Sequence, residues 1–247
     1  MTMSGKFLEI APHILHHWEH LYVINKPWGW PTSGHHLGDD DCVQFHLIEH
    51  HGSMVWTVHQ LDADTTGVCL FSTHKRKVNA YHKLLTHPDT YKEYIAVVSG
   101  EPNWEEIEVK APIGRVGERS MGITPDGKHA HSHFEVLARG NEAALIRARI
   151  FTGRTHQIRI HLHSLGHPLL GEEWYGYRNE GRPACDRHIR QALHAYKIRF
   201  PQELELPQTS LLPQQEVTAP LTDDLRELVT RLFGSAHVAC VTKPRSV

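Results

Sequence analysis

Short apolar stretches separated by polar turns recur along the chain, and most have the spacing of β-strands. Strands are predicted at 21–24, 54–58, 68–71, 91–98 and 193–200. Residues 131–136 and 144–150 alternate between apolar and polar side chains on either side of a polar turn at 139–142. This pattern predicts an antiparallel hairpin with one packed face.

A helical period is present in four other segments: 41–50, 75–85, 155–165 and 222–233. The last has Thr222 as its N-cap, acidic residues in its first turn and Gly234 as its stop. The polar residues 202–215 predict a loop, and residues 235–247 predict a mobile tail. Since there is no repeat and no strong linker earlier in the chain, we predict one α+β domain over 1–234.

The composition supports a globular protein with a real core, because 40% of the 247 residues are apolar and 22% are charged. No run of 18 apolar residues is present, so no membrane-spanning helix is expected. The first ten residues lack the pattern of a secretory signal, which favours the cytoplasm. Four scattered cysteines form no Cys-x-x-Cys pair, which argues against a disulfide framework and a cysteine zinc site: Cys42, Cys69, Cys185 and Cys240.

The net charge of −2 does not by itself indicate a nucleic-acid-binding protein. Its distribution is uneven, because residues 139–199 hold 11 lysines and arginines against 5 acidic residues. One basic face and chance clustering both explain this. The polar face of the predicted hairpin, with His131, His133, Arg147 and Arg149, is either a solvated surface or a contact for RNA.

Histidine is unusually frequent, with 23 residues. So many histidines produce metal-like spacings by accident, and the chain has neither a His-Glu-x-x-His motif nor a repeated ligand pair. We therefore expect no metal, and a histidine-rich metal hydrolase remains only a remote alternative.

Two segments carry candidate chemistry. Residues 59–67 read His-Gln-Leu-Asp-Ala-Asp-Thr-Thr-Gly and place Asp62 on a tight turn before a strand. By itself such an aspartate is commonly structural, because its side chain accepts hydrogen bonds from the turn. Residues 153–162 place Arg159 about one turn into a helix, where a cation gains nothing unless an anion faces it. An ion pair between an arginine such as Arg159 and a carboxylate such as that of Asp62 would keep the carboxylate ionised.

Residues 59–67 resemble the His-Arg-Leu-Asp-x-x-Thr-Ser-Gly signature of pseudouridine synthases of the RluA family, which modify uridines of large-subunit ribosomal RNA and transfer RNA. Five further segments resemble family motifs in the same order and extend the likeness over roughly residues 20–234: 26–29, 92–96, 153–171, 192–195 and 219–221. Several ordered motifs are far more specific than any one of them.

The resemblance implies an α+β fold, with a mixed and mostly antiparallel sheet, flanking helices and a central catalytic cleft. It implies isomerisation of uridine to pseudouridine in a stem-loop of ribosomal or transfer RNA, with no cofactor. Asp62 would be the catalytic aspartate, Tyr94 would pack against the target base and assist proton transfer, and Arg159 would pair with Asp62. Substrate contacts would come from Gln60, His59, Thr66, Arg154, His156, Gln157, Ile158 and Leu193.

The resemblance also has gaps. Many relatives carry a small basic RNA-binding domain in front, which we do not expect in a chain with about 20 residues before its first strand. Gln60 stands where the family usually has an arginine that contacts the RNA and fills the space of the flipped base. A catalytically idle RNA-binding module on the same scaffold is therefore the main alternative, and we expect a monomer.

Overall fold

The computed structural model describes residues 7–36, 38–118, 120–176, 190–201 and 215–242, with side chains up to residue 239. The chain divides into two compact units. Unit 1 comprises the described residues of Met1–Tyr91 and Ala195–Pro220, and unit 2 those of Lys92–His194 and Leu221–Val247.

Unit 1 is built on strands that pair in the order β1-β2-β4-β11, with β3 beside β4 and β12 beside β11. The β1–β2, β2–β4, β3–β4 and β11–β12 pairs are antiparallel. The strands are β1 (Ile14–Trp18), β2 (Leu21–Lys26), β3 (Trp56–Thr57), β4 (Thr66–Ser72), β11 (Leu193–Arg199) and β12 (Glu216–Thr218). Unit 1 also contains two helices, α1 (Val43–His51) and α2 (Lys75–Leu85), and a short 3₁₀ turn at Ala11–His13.

The core of unit 1 forms where the apolar stripe of α2 meets the sheet. Tyr81, Leu84 and Leu85 pack with strand residues such as Leu21 and Leu70, and all five side chains are buried. The stripe recurs at helical spacing, which is why the segment forms an amphipathic helix in this position. This packing anchors β4, the strand that directly follows the Asp62 turn.

Unit 2 contains an antiparallel sheet in the order β5-β10-β9-β6 and a separate hairpin, β7–β8. Its strands are β5 (Tyr91–Ser99), β6 (Glu106–Val109), β7 (Ile113–Arg115), β8 (Met121–Ile123), β9 (Ser132–Gly140) and β10 (Ala143–Ile150). Its helices are α3 (Gln157–Ser164), α4 (Asp223–Phe233) and α5 (Ser235–Thr242). The two units thus confirm the mixed, mostly antiparallel α+β class.

The polar face of the β9–β10 hairpin is a ladder of paired charges. Arg147 is buried, donates to Glu135 at 2.9 Å and lies 3.3 Å from Glu93. Arg149 donates to the other oxygen of Glu93 at 3.2 Å.

Two histidines of the same face, His133 on β9 and His131 just before it, also lie near acidic side chains. His133 lies 3.3 Å from Glu106, and His131 lies 3.5 Å from Glu108. The basic side chains of this face thus already have acidic neighbours, and a buried arginine does not fit a solvated surface. For Arg147 that interpretation is therefore wrong, whereas an RNA contact of this face stays a prediction.

Most predicted elements are confirmed, with shifted ends. Helix α2 has the predicted bounds, whereas α3 begins two residues later than predicted because His156 adopts a left-handed conformation with φ 55°. The strand expected over 54–58 is reduced to two residues. Residues 235–242 form α5 instead of continuing a tail. Most of the predicted loop at 202–215, and Cys185, lie outside the described residues.

In the described part of the chain, no helix combines the length and the apolar character that crossing a membrane requires.

Candidate active site

Asp62 lies on a tight turn at the entrance to β4. The backbone N–H of Thr65 donates to the Asp62 carbonyl at 3.1 Å, which closes the turn, and Asp62 is only partly buried. Gly67 has φ +107°, and a Cβ there would overlap the Ala195 backbone of β11. A glycine is therefore required at this position so that β4 can run close to β11 directly behind the turn.

A buried lysine, Lys26, holds the turn in place through hydrogen bonds to backbone carbonyls. The Lys26 ammonium is fully buried and donates to the carbonyls of Pro27, Trp30 and Ala63, at 2.9, 2.7 and 2.7 Å. The Gly29 N–H donates to the same Ala63 carbonyl at 3.0 Å. A charged group out of water is stable only with such full coordination. Lys26 thus ties the residue after Asp62 to the loop that follows β2.

Thr32 braces the other side of Asp62. Its hydroxyl donates to the Leu61 carbonyl at 2.9 Å and accepts from the Leu61 N–H at 3.0 Å. The residues before and after Asp62 are both held by buried hydrogen bonds, so the backbone that carries the carboxylate has little freedom. Rigid support of this kind is what a reacting group needs in order to be preorganised.

We expect Lys26→Met to loosen this turn. Methionine keeps the length and the apolar stem but leaves three carbonyls without their charged donor, which should cost about 2–3 kcal/mol of unfolding free energy. Urea unfolding of the variant against the wild type measures this loss. Lys83→Met, an exposed lysine on α2, is the control and should change stability by less than about 0.5 kcal/mol. Equal stability of the Lys26 variant would contradict the bracing role.

Two other residues of the 59–67 motif have structural contacts. The His59 ring nitrogen Nε2 accepts from the Leu70 N–H at 3.2 Å, and Thr66 is fully buried at the start of β4. Gln60 is exposed and donates to the Ser33 hydroxyl at 2.8 Å. Of these three predicted substrate contacts, Gln60 is the one whose side chain faces solvent beside Asp62.

In unit 2, Arg159 forms a buried ion pair that the sequence did not reveal. Its Nε donates to Glu172 Oε2 at 2.8 Å and an Nη donates to Oε1 at 2.7 Å, a two-pronged geometry. Burial opposes the charge on Glu172, yet its pKa lies below the ordinary value because Arg159 and the N–H groups of Trp174 and Tyr175 donate to it. Glu172 therefore fixes the orientation of the guanidinium.

Aromatic rings surround the same guanidinium. Its carbon Cζ lies 5.5 Å from the Trp174 ring centre and 5.3 Å from that of Tyr175. His156, at the start of α3, is 2.8 Å from the Tyr175 hydroxyl through Nδ1 and meets the Trp174 ring edge-to-face at 5.2 Å. An arginine guanidinium has five N–H donors, so Arg159 can bind a second carboxylate while it is bound to Glu172. The predicted pair with Asp62 stays a prediction.

Four other residues were predicted to contact the substrate: Gln157, Arg154, Ile158 and Leu193. The Gln157 side chain is buried and joins the loop before α3 to β9, accepting from Thr152 Oγ1 at 2.7 Å and donating to Ser132 Oγ at 3.0 Å. Arg154 is partly buried and donates through Nε to the His129 carbonyl at 2.8 Å. Ile158 and Leu193 are both buried.

Tyr94 lies on β5 with 8% of its surface exposed. Because side chains alternate along a strand, Lys92 shares its face of the sheet, whereas Glu93 points to the charge ladder on the other face. Burial, together with the neighbouring Arg154, lowers the pKa of Lys92 to about 8. The face with Tyr94 thus carries a buried lysine whose charged form is disfavoured, a feature the sequence analysis did not single out.

Comparisons with known proteins agree with these observations. The family model described as RNA pseudouridylate synthase matches residues 20–164. Ribosomal large subunit pseudouridine synthase C of Haemophilus ducreyi is 32% identical over 244 residues, covering 94% of this chain and 72% of that protein. The uncharacterized RNA pseudouridine synthase YlyB of Bacillus subtilis is 33% identical, covering 86% and 70%.

A solved structure supports the same fold. Human RNA Pseudouridylate Synthase Domain Containing 4 superposes with a TM-score of 0.73 at 24% identity, covering 90% of this chain and 94% of that chain. The motif order, the fold and the family match converge, and the chain belongs to the RNA pseudouridylate synthase family of isomerases.

Proposed function

We propose that this protein converts specific uridines of structured RNA to pseudouridine, with Asp62 as the reacting carboxylate. The observation that carries the proposal is the braced turn of residues 61–65, which presents an aspartate at a partly exposed position in a chain of this family. Ribosomal RNA is the favoured substrate, because relatives of 30% identity or more are named ribosomal large subunit pseudouridine synthases.

The reaction is an isomerisation with a simple balance of bonds. The N1–C1′ bond breaks, the uracil ring turns, and C5 bonds to C1′, while the proton lost from C5 is matched by one gained at N1. No redox change occurs, so the proposal requires no cofactor. An anionic carboxylate that is held in place can attack C1′ or add to the ring at C6, and Asp62 suits both routes.

Two further residues belong to the proposed reaction, Arg159 and Tyr94. Arg159, held by Glu172, would keep the Asp62 carboxylate charged through a second ion pair. Tyr94 would stack on the extruded uracil, which recovers about 1–3 kcal/mol of the lost base stacking. Because a base must leave its stack to react, loops and bulges should be better substrates than duplexes.

The residues proposed here to bind RNA differ from those of the hairpin face that the sequence suggested. The hairpin face with Arg147 and Arg149 is matched by acids, so we assign phosphate contacts instead to Arg154, whose charge lies close to Lys92. Gln60, which replaces the usual arginine of the family, can hydrogen-bond to RNA without adding charge. We further propose that the protein acts as a monomer in the cytoplasm.

The proposal is tested by incubating purified protein with ribosomal RNA and transfer RNA, isolated separately from a strain that lacks it. Chemical mapping should reveal new pseudouridine at one or a few sites in the ribosomal RNA. New sites in transfer RNA alone would replace the substrate assignment but keep the activity. RNA binding without any new pseudouridine would instead identify an idle binding module.

A further inference from the structure

A small cavity lies next to the Asp62 turn, entirely within unit 1. Its volume is about 130 Å³, and its wall comes from the loop before α1 and from α1 itself, including Ser33, His35, His36, Gln44, Phe45 and Ile48. Ser33 links the cavity to the turn, because its hydroxyl accepts the hydrogen bond from Gln60, two residues before Asp62. Nothing in the reaction described above uses this space.

The size of the cavity fits one planar ring. A protein cavity of about 150 Å³ is known to hold benzene, whereas pockets for larger organic ligands measure roughly 300–1,000 Å³. At about 130 Å³, the space therefore suits a single six-membered ring. His35 and His36 are exposed and form its rim, so a ring can enter from solvent.

The wall offers a donor and an acceptor in fixed positions. Gln44 donates through Nε2 to the Val55 carbonyl at 2.7 Å, which orients the amide and leaves its oxygen Oε1 as an acceptor. Within the described residues, that oxygen has no hydrogen-bond partner. The Ser33 hydroxyl accepts from Gln60, so its own proton can be donated. A ring with both N–H and C=O groups can use a donor and an acceptor of this kind.

The charged groups around the cavity favour a nucleobase over a phosphate group as its ligand. Among the described residues, no lysine or arginine lines the cavity. The Asp39 carboxylate accepts from the His36 N–H at 2.8 Å, so a negative charge lies beside a residue of the wall and disfavours an anion. In the described residues, no three histidine, cysteine or acidic side chains gather as a metal site. Aromatic neighbours such as Phe45 and the two histidines instead suit the flat face of a nucleobase.

We infer that this cavity binds the base of an RNA nucleotide next to the target uridine and so helps to choose the target. The inference rests on the proposed function, since it assumes that RNA lies over Asp62. Gln60 then has a second role: it holds Ser33, part of the cavity wall, beside the turn. An arginine at the same position would bring a positive charge to this wall.

The test measures base preference by binding, independently of catalysis. Single-stranded RNA of 12 nucleotides with a central uridine and randomised flanks is captured on the full-length protein, and the bound and unbound pools are sequenced. The wild type should enrich one base at a position beside the uridine by about fivefold, the scale of one hydrogen bond. Ser33→Ala removes the donor and Ile48→Phe fills the space, so both should reduce the enrichment below about twofold.

Ser53→Ala, an exposed serine that does not line the cavity, is the matched control and should keep the wild-type preference. Thermal unfolding shows whether each variant is folded, and Ser33→Ala adds no volume that could prevent folding. No preference in the wild type, or an unchanged preference in a folded Ile48→Phe protein, would overturn the inference. A clear preference without any pseudouridine formed on cellular RNA would instead refute the proposed function alone.

Discussion

Asp62→Asn should abolish pseudouridine formation while leaving the fold and RNA binding nearly unchanged. Asparagine has the same shape but no charge and cannot act as the nucleophile, so the single-turnover rate should fall on the order of 10⁴–10⁶-fold, as when an essential nucleophile is removed. The turn should persist, because its hydrogen bond from Thr65 goes to the backbone carbonyl of residue 62. The measurement is the amount of pseudouridine formed within ribosomal RNA over time.

Asp64→Asn provides the matched control. Asp64 lies on the same turn and is exposed, so its substitution changes the net charge by the same amount without touching the proposed reacting group. We expect its rate to stay within about threefold of the wild type, the effect of an ordinary surface substitution. Comparable losses in both variants would point to the charge of the turn and away from a nucleophile at residue 62.

Glu172→Gln should cause the largest loss of stability among the site variants. The Glu172 side chain is 1% exposed and that of Arg159 is 8% exposed, so the substitution leaves a buried guanidinium without its charged partner. Breaking such a pair costs about 3–5 kcal/mol. Urea unfolding measures the loss, and the neighbouring exposed Glu173→Gln should lose less than about 0.5 kcal/mol. Equal stability of the two variants would contradict the proposal that Glu172 stabilises the fold by holding Arg159.

The contribution of Glu172 should also depend on pH. Its pKa in the folded protein lies below the ordinary value of 4.5, so the carboxylate binds its proton more weakly in the folded state than in the unfolded state. Its stabilising effect is therefore complete above pH 4.5 and decreases as the pH falls through the lowered pKa. The difference in stability between the wild type and Glu172→Gln should shrink only in this acidic range.

The sequence predicted the elements whose pattern is local. Helix α2 and the β9–β10 hairpin have strong periodicity, and both are confirmed. Short strands such as β7 and β8, at three residues each, carry too few alternations to be recognised. The helix α5 follows directly after Gly234, where a stop signal was expected to end the regular structure.

The site was predictable where a motif names a residue and unpredictable where a partner is distant. Lys26 lies in one of the segments that resemble family motifs, but one of its three carbonyl contacts is to Ala63, far along the chain. Glu172 is 13 residues from Arg159 and has no motif of its own. Arg147 looked like a surface cation because the strand pattern does not show that Glu93 and Glu135 lie on the adjacent strands.

The most direct test maps pseudouridine across all RNA of a strain that lacks this protein, after complementation with the wild type or with Asp62→Asn. We predict that the sites missing from the deletion strain return with the wild-type gene and stay absent with the variant, at equal protein levels. Restoration of those sites by Asp62→Asn would contradict the account, because uridine would then be isomerised without the carboxylate on which the proposed chemistry depends.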